Sequence, residues 1–193
     1  AGTADAVVCA RDFIGESSFL AILGDLYLPD SVLPEVCSAY AESEHGVAAT
    51  LEVTNISEHS SGSVDTDGRL RDYVWKPRGR RGLSLPGVYA LPASAVDDLA
   101  NVTNVVHAQF GIAPQEGKEI EAVIPTRYRE GRALREIRVD GPILDLDYPW
   151  QPHTFAIQIA RELGNQHSDS KISETAAIDP GAHIEGPVIV GDH

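Results

Sequence analysis

Residues 4–13 (ADAVVCARDF) place apolar side chains at helical spacing, and Gly15 follows where a helix stops, so the chain opens on a helix. Residues 19–28 (FLAILGDLYL) instead form an apolar run broken only by Gly24-Asp25. That pattern predicts a buried strand of a parallel sheet covered by helices on both faces. Residues 31–43 predict a second helix and residues 46–53 (GVAATLEV) a second buried strand. Residues 57–68, rich in Ser, Gly and Asp, predict a loop or hairpin tip. A strand over 69–75, a basic loop over 76–82 (KPRGRRG), a short strand over 87–91 (GVYAL) and a helix over 94–100 follow. Residues 117–129 predict a helix, 133–139 a strand, 143–147 (ILDLD) a short strand ending in acid, and 152–163 a helix stopped by Gly164-Asn165. Alternating strands and helices define an α/β layered domain over residues 1–165, followed by a polar linker over 166–171.

The pattern changes after the linker. Ile172, Ile178, Ile184 and Val190 recur every six residues, and the small or short apolar residues Ala176, Ala182 and Val188 stand four positions after the first three. One aliphatic and one small residue per hexapeptide is the signature of a left-handed parallel β-helix, each hexapeptide forming one side of a triangular coil. An irregular tail ending in a strand is the alternative. Residues 172–193 are therefore expected to begin such a coil, which needs further turns to bury its core.

Charge narrows the functional classes. Fifteen basic and 29 acidic residues give a net charge of −14, which repels nucleic acid backbones and anionic lipid. The local cluster of Arg78, Arg80 and Arg81 is too small to reverse this; it reads as a phosphate clamp or, equally, as a solvated loop. No apolar run reaches the length of a membrane span and no signal-peptide pattern opens the chain, so a soluble, cytoplasmic protein is expected. Only Lys76, Lys118 and Lys171 are lysines, and the carboxylates are dispersed. Such a surface suits concentrated salt and points to a halophilic source, the alternative being an ordinary acidic mesophile protein. Cys9 and Cys37 have neither metal-ligand nor redox spacing and are expected to be buried free thiols. The seven histidines, His183 included, show no ligand spacing. The absence of methionine fits either a removed initiator or a fragment.

Asp25 closes the first apolar run. A carboxylate at the carboxyl end of a strand is well placed for a metal, and Gly24 before it allows a ligand to approach the backbone. Asp145 and Asp147 alternate, so only one of them can share a site with Asp25. Two carboxylates from separate strands, completed by water and phosphate oxygens, are a common way to hold Mg²⁺ in phosphoryl transfer.

These elements come in an order that resembles the sugar-nucleotidyltransferase family, the NDP-sugar pyrophosphorylases that include glucose-1-phosphate thymidylyltransferases and bifunctional enzymes with hexapeptide-repeat acyltransferase domains. Gly2-Thr3-Ala4-Asp5-Ala6 resembles its base-binding turn and helix start, and Leu23-Gly24-Asp25 its metal-binding Gly-Asp. Trp75-Lys76-Pro77 stands in place of Glu-Lys-Pro, Pro86-Gly87-Val88-Tyr89 in place of Asn-Ala-Gly-Ile-Tyr, and Leu144-Asp145-Leu146-Asp147-Tyr148-Pro149-Trp150 is similar to its last Asp-containing segment. The resemblance implies a partial Rossmann-like nucleotidyltransferase sheet and a magnesium-dependent reaction of a nucleoside triphosphate with a sugar 1-phosphate, giving an NDP-sugar and pyrophosphate. It implies nucleotide contacts at Gly2 and Thr3, substrate contacts at Gly62, Lys76 and Gly87 with Lys76 as the catalytic cation, Mg²⁺ ligands at Asp25 and Asp145, and homo-oligomers formed through the β-helix.

Three departures stand out. No segment resembles the family's phosphate-cradling Gly-x-Gly-Thr-Arg loop, so residues 1–193 alone are expected to lack transferase activity. Trp75 replaces an acid suited to sugar hydroxyls, and Leu85-Pro86 removes an expected asparagine, which fits an unusual sugar or a decayed site. A non-catalytic nucleotide- or sugar-sensing homologue and a part of a bifunctional acetyltransferase are the two alternative readings.

Overall fold

The computed structural model describes residues 2–107, 115–146, 149, 151–165, 169–185 and 188–192. Asp147, Tyr148, Trp150 and linker residues 166–168 lie outside that set. The described chain divides into two units, Ala1–Ile143 and Leu144–His193.

In the first unit the opening helical pattern becomes α1 (Thr3–Cys9) and α2 (Arg11–Ile14), which ends at Gly15 with φ +57°. Strands β1 (Phe19–Ile22) and β2 (Leu26–Tyr27) precede α3 (Val32–Ala41) and the central strand β3 (Val47–Val53). A 3-10 turn over Ile56–Glu58 leads to β4 (Ser61–Val64), β5 (Leu70–Val74), β6 (Gly82–Ser84) and β7 (Val88–Leu91). Then come α4 (Ala95–Ala100), the hairpin β8 (Val105–His107) and β9 (Gln115–Gly117), α5 (Ile124–Arg129) and β10 (Arg135–Arg138).

The main sheet runs β1-β7-β3-β6-β4-β5, with β10 also paired to β3. Here the parallel-sheet expectation fails: only β10 pairs parallel to β3, and the other described ladders of this sheet are antiparallel. Near-continuous apolar runs report burial of both faces, not strand direction, and burial of both faces is what the structure delivers. Val47 and Ala49 of β3, with Val88 and Ala90 of β7, pack under Val32 and Val36 of α3. The alternate residues Ala48, Tyr89 and Leu91 pack on the opposite side with Ala4, Leu99 and Ile124 from α1, α4 and α5.

The run over residues 19–28 is not one buried strand. It breaks at Leu23-Gly24-Asp25, and in β1, the terminal strand of the order, Ala21 is buried while Leu20 and Ile22 are exposed. The region expected as a hairpin tip contributes β4, turning through Asp65–Gly68, where the Asp65 carboxylate accepts from the backbone N–H groups of Asp67 and Arg69 at 2.9 Å. The helix expected over 117–129 is a strand end, a 3-10 turn (Ile120–Val123) and α5, because Pro125 sits early in α5 where it starts a helix rather than continues one. Both cysteines are exposed free thiols, not buried ones. On amphipathic helices a small thiol is no guide to the buried face.

The second unit contains β11 (Leu144–Asp145), α6 (Gln151–Asn165), β12 (Lys171–Ile172) and β13 (Ile189–Val190). Helix α6 continues through Gly164, which lacks the positive φ that stops a helix. Strands β12 and β13 pair in parallel, Lys171 with Ile189 and Ile172 with Val190. Ile172, Ile178 and Ile184 are 39–47% exposed, so their aliphatic period is not enclosed within this unit. Among the described residues no helix is long and apolar enough to cross a membrane.

Candidate functional site

The start of α1 is fastened to the segment before α5. Thr3 donates its hydroxyl to the Glu119 carboxylate at 2.7 Å and accepts from the Ile120 N–H at 2.9 Å, while the Ala4 N–H reaches the Lys118 carbonyl at 2.8 Å. The approach is close enough that a Cβ on Gly2 would stand 2.4 Å from the Lys118 oxygen. Only glycine fits there. The Gly-Thr pair read as a nucleotide contact is thus also a structural clasp, leaving the Thr3 oxygen one lone pair for a ligand.

Gly87 ties β7 to the candidate metal turn. Its carbonyl accepts from the Leu23 N–H at 3.1 Å, its φ is +93°, and a Cβ there would fall 2.4 Å from Leu23 Cδ1. Residues 23–25, ending in the exposed Asp25, are held by this contact. A cavity of about 450 Å³ between α1, α2 and β1 has Thr3 and Ile120 on one wall and Leu23 and Gly24 on another. The fold therefore brings Thr3 and the Leu23-Gly24 step before Asp25, some twenty residues apart in sequence, onto one apolar cleft, which Gly2 and Asp25 themselves do not line.

Gly62 and Lys76 lie on the β4–β5 hairpin. Gly62 pairs with Tyr73, and a Cβ at Gly62 would press against Leu70 at 2.9 Å, so packing already demands a glycine there. Lys76 follows β5 with φ +39° and is the one non-glycine residue with positive φ among those described. A lysine held in that conformation before Pro77 carries backbone strain of about 1–3 kcal/mol, a cost that clusters at functional sites. Its Nζ lies 5.4 Å from the centroid of the Trp75 ring.

Sequence reasoning missed a cluster of acids and phenols beside these residues. The buried Tyr89 hydroxyl donates to the buried Glu121 carboxylate at 2.9 Å. Burial, with Glu121 and Glu119 nearby, pushes the Tyr73 phenol up to about 12, and Tyr89 rises for the same reasons. Both phenols stay protonated and so act as donors facing carboxylate acceptors. The alternate glutamates Glu119 and Glu121 were the available signal, hidden by reading residues 117–129 as a helix. Asp145 ends β11 in the second unit, half-buried. Among the described residues no group of three or more His, Cys, Asp or Glu side chains converges as a metal cage.

No family model matches the chain. The low-salt glycan biosynthesis nucleotidyltransferase Agl11 of Haloferax volcanii is 25% identical over 180 residues, which are 92% of this chain and 48% of that protein. That similarity agrees with the resemblance to the sugar nucleotidyltransferases read from the motifs. It spans about half the length of that relative. Among solved structures, UDP-glucose pyrophosphorylase from Acinetobacter baumannii superposes with a TM-score of 0.59 at 20% identity, covering 83% of this chain and 61% of that one. A Bacillus anthracis protein named as a glucose-1-phosphate thymidylyltransferase gives 0.60 at 17% identity, covering 87% and 63%. These likenesses establish the nucleotidyltransferase fold, with its mostly antiparallel sheet in this chain.

Proposed function

We propose that the chain forms the substrate-binding part of a nucleotidyltransferase that makes an NDP-sugar: an oxygen of a sugar 1-phosphate attacks the α-phosphorus of a nucleoside triphosphate, and pyrophosphate leaves. The observation that carries this reading is the shared cleft, where Thr3 and the Leu23-Gly24 turn line one cavity of about 450 Å³. That volume lies in the range of small-molecule sites. In this reading Thr3 offers its remaining lone pair to the base, and Lys76 places a positive charge on the sugar phosphate. The half-buried Glu119 and Tyr73 supply polarity that sugar hydroxyls need, while the buried Tyr89–Glu121 hydrogen bond supports them from behind.

Asp25, exposed in the turn after β1 of the first unit, and Asp145, at the end of β11 of the second, are each proposed as oxygen ligands, since carboxylate oxygens suit a hard cation such as Mg²⁺ better than imidazole or thiolate ligands would. A cation held by such carboxylates would neutralise polyphosphate charge on a chain of net charge −14. Catalysis on this scheme is mostly positioning and charge stabilisation. A purely sensing homologue is less favoured, since the curated relative is named as a nucleotidyltransferase.

Two further readings belong here. The parallel pairing of β12 with β13 joins residues eighteen positions apart, or three hexapeptides, which supports a triangular β-helix turn and self-association through it. The dispersed carboxylates support a protein adapted to high salt, and a cytoplasmic location is proposed with it. The functional reading is tested by calorimetric titration of the protein with UTP and with glucose 1-phosphate, each with and without Mg²⁺. Magnesium-dependent binding of UTP, weakened at least tenfold in Asp25→Ala, is expected. Equal binding in that variant, or binding of neither ligand, would refute it.

A further inference from the structure

We infer that Trp75 is a specificity-determining residue that receives the sugar ring on its indole face, so that the chain takes a pyranose 1-phosphate through its C–H face where an acid would have read hydroxyls. The inference rests on the proposed role of Lys76 as the sugar-phosphate contact. Three features of the hairpin lead to it.

Tyr73 of β5 is half-buried with Glu119 and Glu121 acting on its phenol, and Trp75, half-buried in the bend just after the strand, opens the turn that carries Lys76. Next, Lys76 Nζ lies 5.4 Å from the Trp75 ring centroid. A phosphate held by that ammonium carries its sugar, one ester oxygen away, against the same ring. Finally, the positive φ of Lys76 and the fixed ring of Pro77 stiffen the turn, so the indole and the ammonium are presented together rather than independently. A large aromatic face costs little entropy to hold and gains from apolar contact, whereas an indole cannot accept hydrogen bonds from hydroxyls as a carboxylate does.

The chain has two tryptophans, so Trp150→Phe leaves Trp75 as the sole indole reporter. In that background, titration with glucose 1-phosphate is expected to change Trp75 emission, and inorganic phosphate to bind at least tenfold more weakly. Trp75→Ala in the otherwise native chain, checked for folding by circular dichroism, should lose at least tenfold in calorimetric affinity for glucose 1-phosphate and bring the two ligands level. Trp75→Phe should recover most of that loss. Unchanged emission on glucose 1-phosphate binding, or undiminished preference over inorganic phosphate in Trp75→Ala, overturns the inference. If UTP binds with Mg²⁺ but glucose 1-phosphate does not, this inference falls while the nucleotide reading survives; if neither binds, both fall.

Discussion

Gly87→Ala tests the link between the sheet and the candidate metal turn. The added Cβ would lie 2.4 Å from Leu23 Cδ1, 2.5 Å from Cγ and 3.3 Å from Cβ, and the inner two of these are not the free end of a side chain that can swing away. Overpacking of this kind costs about 1–3 kcal/mol. The φ of +93° adds a further penalty of about 1–2 kcal/mol for any residue with a Cβ. Together they predict a loss of about 3 kcal/mol, or roughly 6–12 °C in the Tm of a chain this size. Because the Gly87 carbonyl holds the Leu23 N–H, relief by backbone movement would shift Gly24-Asp25 and weaken magnesium-dependent UTP binding as well. Thermal unfolding followed by circular dichroism measures the first effect and calorimetry the second. The double variant Leu23→Ala/Gly87→Ala removes the clash but keeps the strained φ, so its loss of stability should be smaller than the sum of the two single losses by about 1–2 kcal/mol. A Gly87→Ala protein within about 0.5 kcal/mol of the parent, the size of a typical surface change, would refute the reasoning.

Two further outcomes follow from the charges. Burial opposes ionisation of Asp98, but its hydrogen bonds to Arg132 and the buried Arg127 beside it win and hold its carboxyl below the usual range. A depressed carboxyl stabilises the fold fully above its unfolded value near 3.8 and loses that contribution as pH falls through the folded value. Asp98→Asn should therefore be less stable than the parent in urea unfolding at pH 7, with a gap that narrows below about pH 4; a constant gap from pH 7 to pH 3 would contradict the linkage. The net charge of −14 predicts a second dependence. Raising KCl from 0.1 M to 1 M shortens the screening length from about 10 Å to about 3 Å, so Tm should rise, and a flat or falling Tm would remove self-repulsion as a factor.

Much of the architecture was legible as local pattern. Helices α1 and α3, strand β3 and the short strand β7 follow from periodicity and stop signals, since each obeys rules that operate within a few residues. The candidate residues were legible through their order along the chain, because Gly-Thr, Gly-Asp and Lys-Pro are contiguous motifs. Glu119 and Glu121 were not, because their significance depends on Thr3 and Tyr89, more than thirty residues away in the nearer case.

By itself the sequence determined that segments such as β3 and β7 are apolar enough to be buried, that the opening helical stretch stops at Gly15, and that the chain carries a large negative charge. Strand direction escaped it: β3 reads the same whether its neighbours run parallel, as β10 does, or antiparallel, as β6 and β7 do, because a buried strand needs apolar residues on both faces in either case. The tertiary structure alone decided that β1 ends the sheet order with Leu20 and Ile22 exposed, that Gly87 meets Leu23, and that the Thr3 and Gly24 turns share a cleft. Each of these is a contact between distant segments, fixed by how the layers pack.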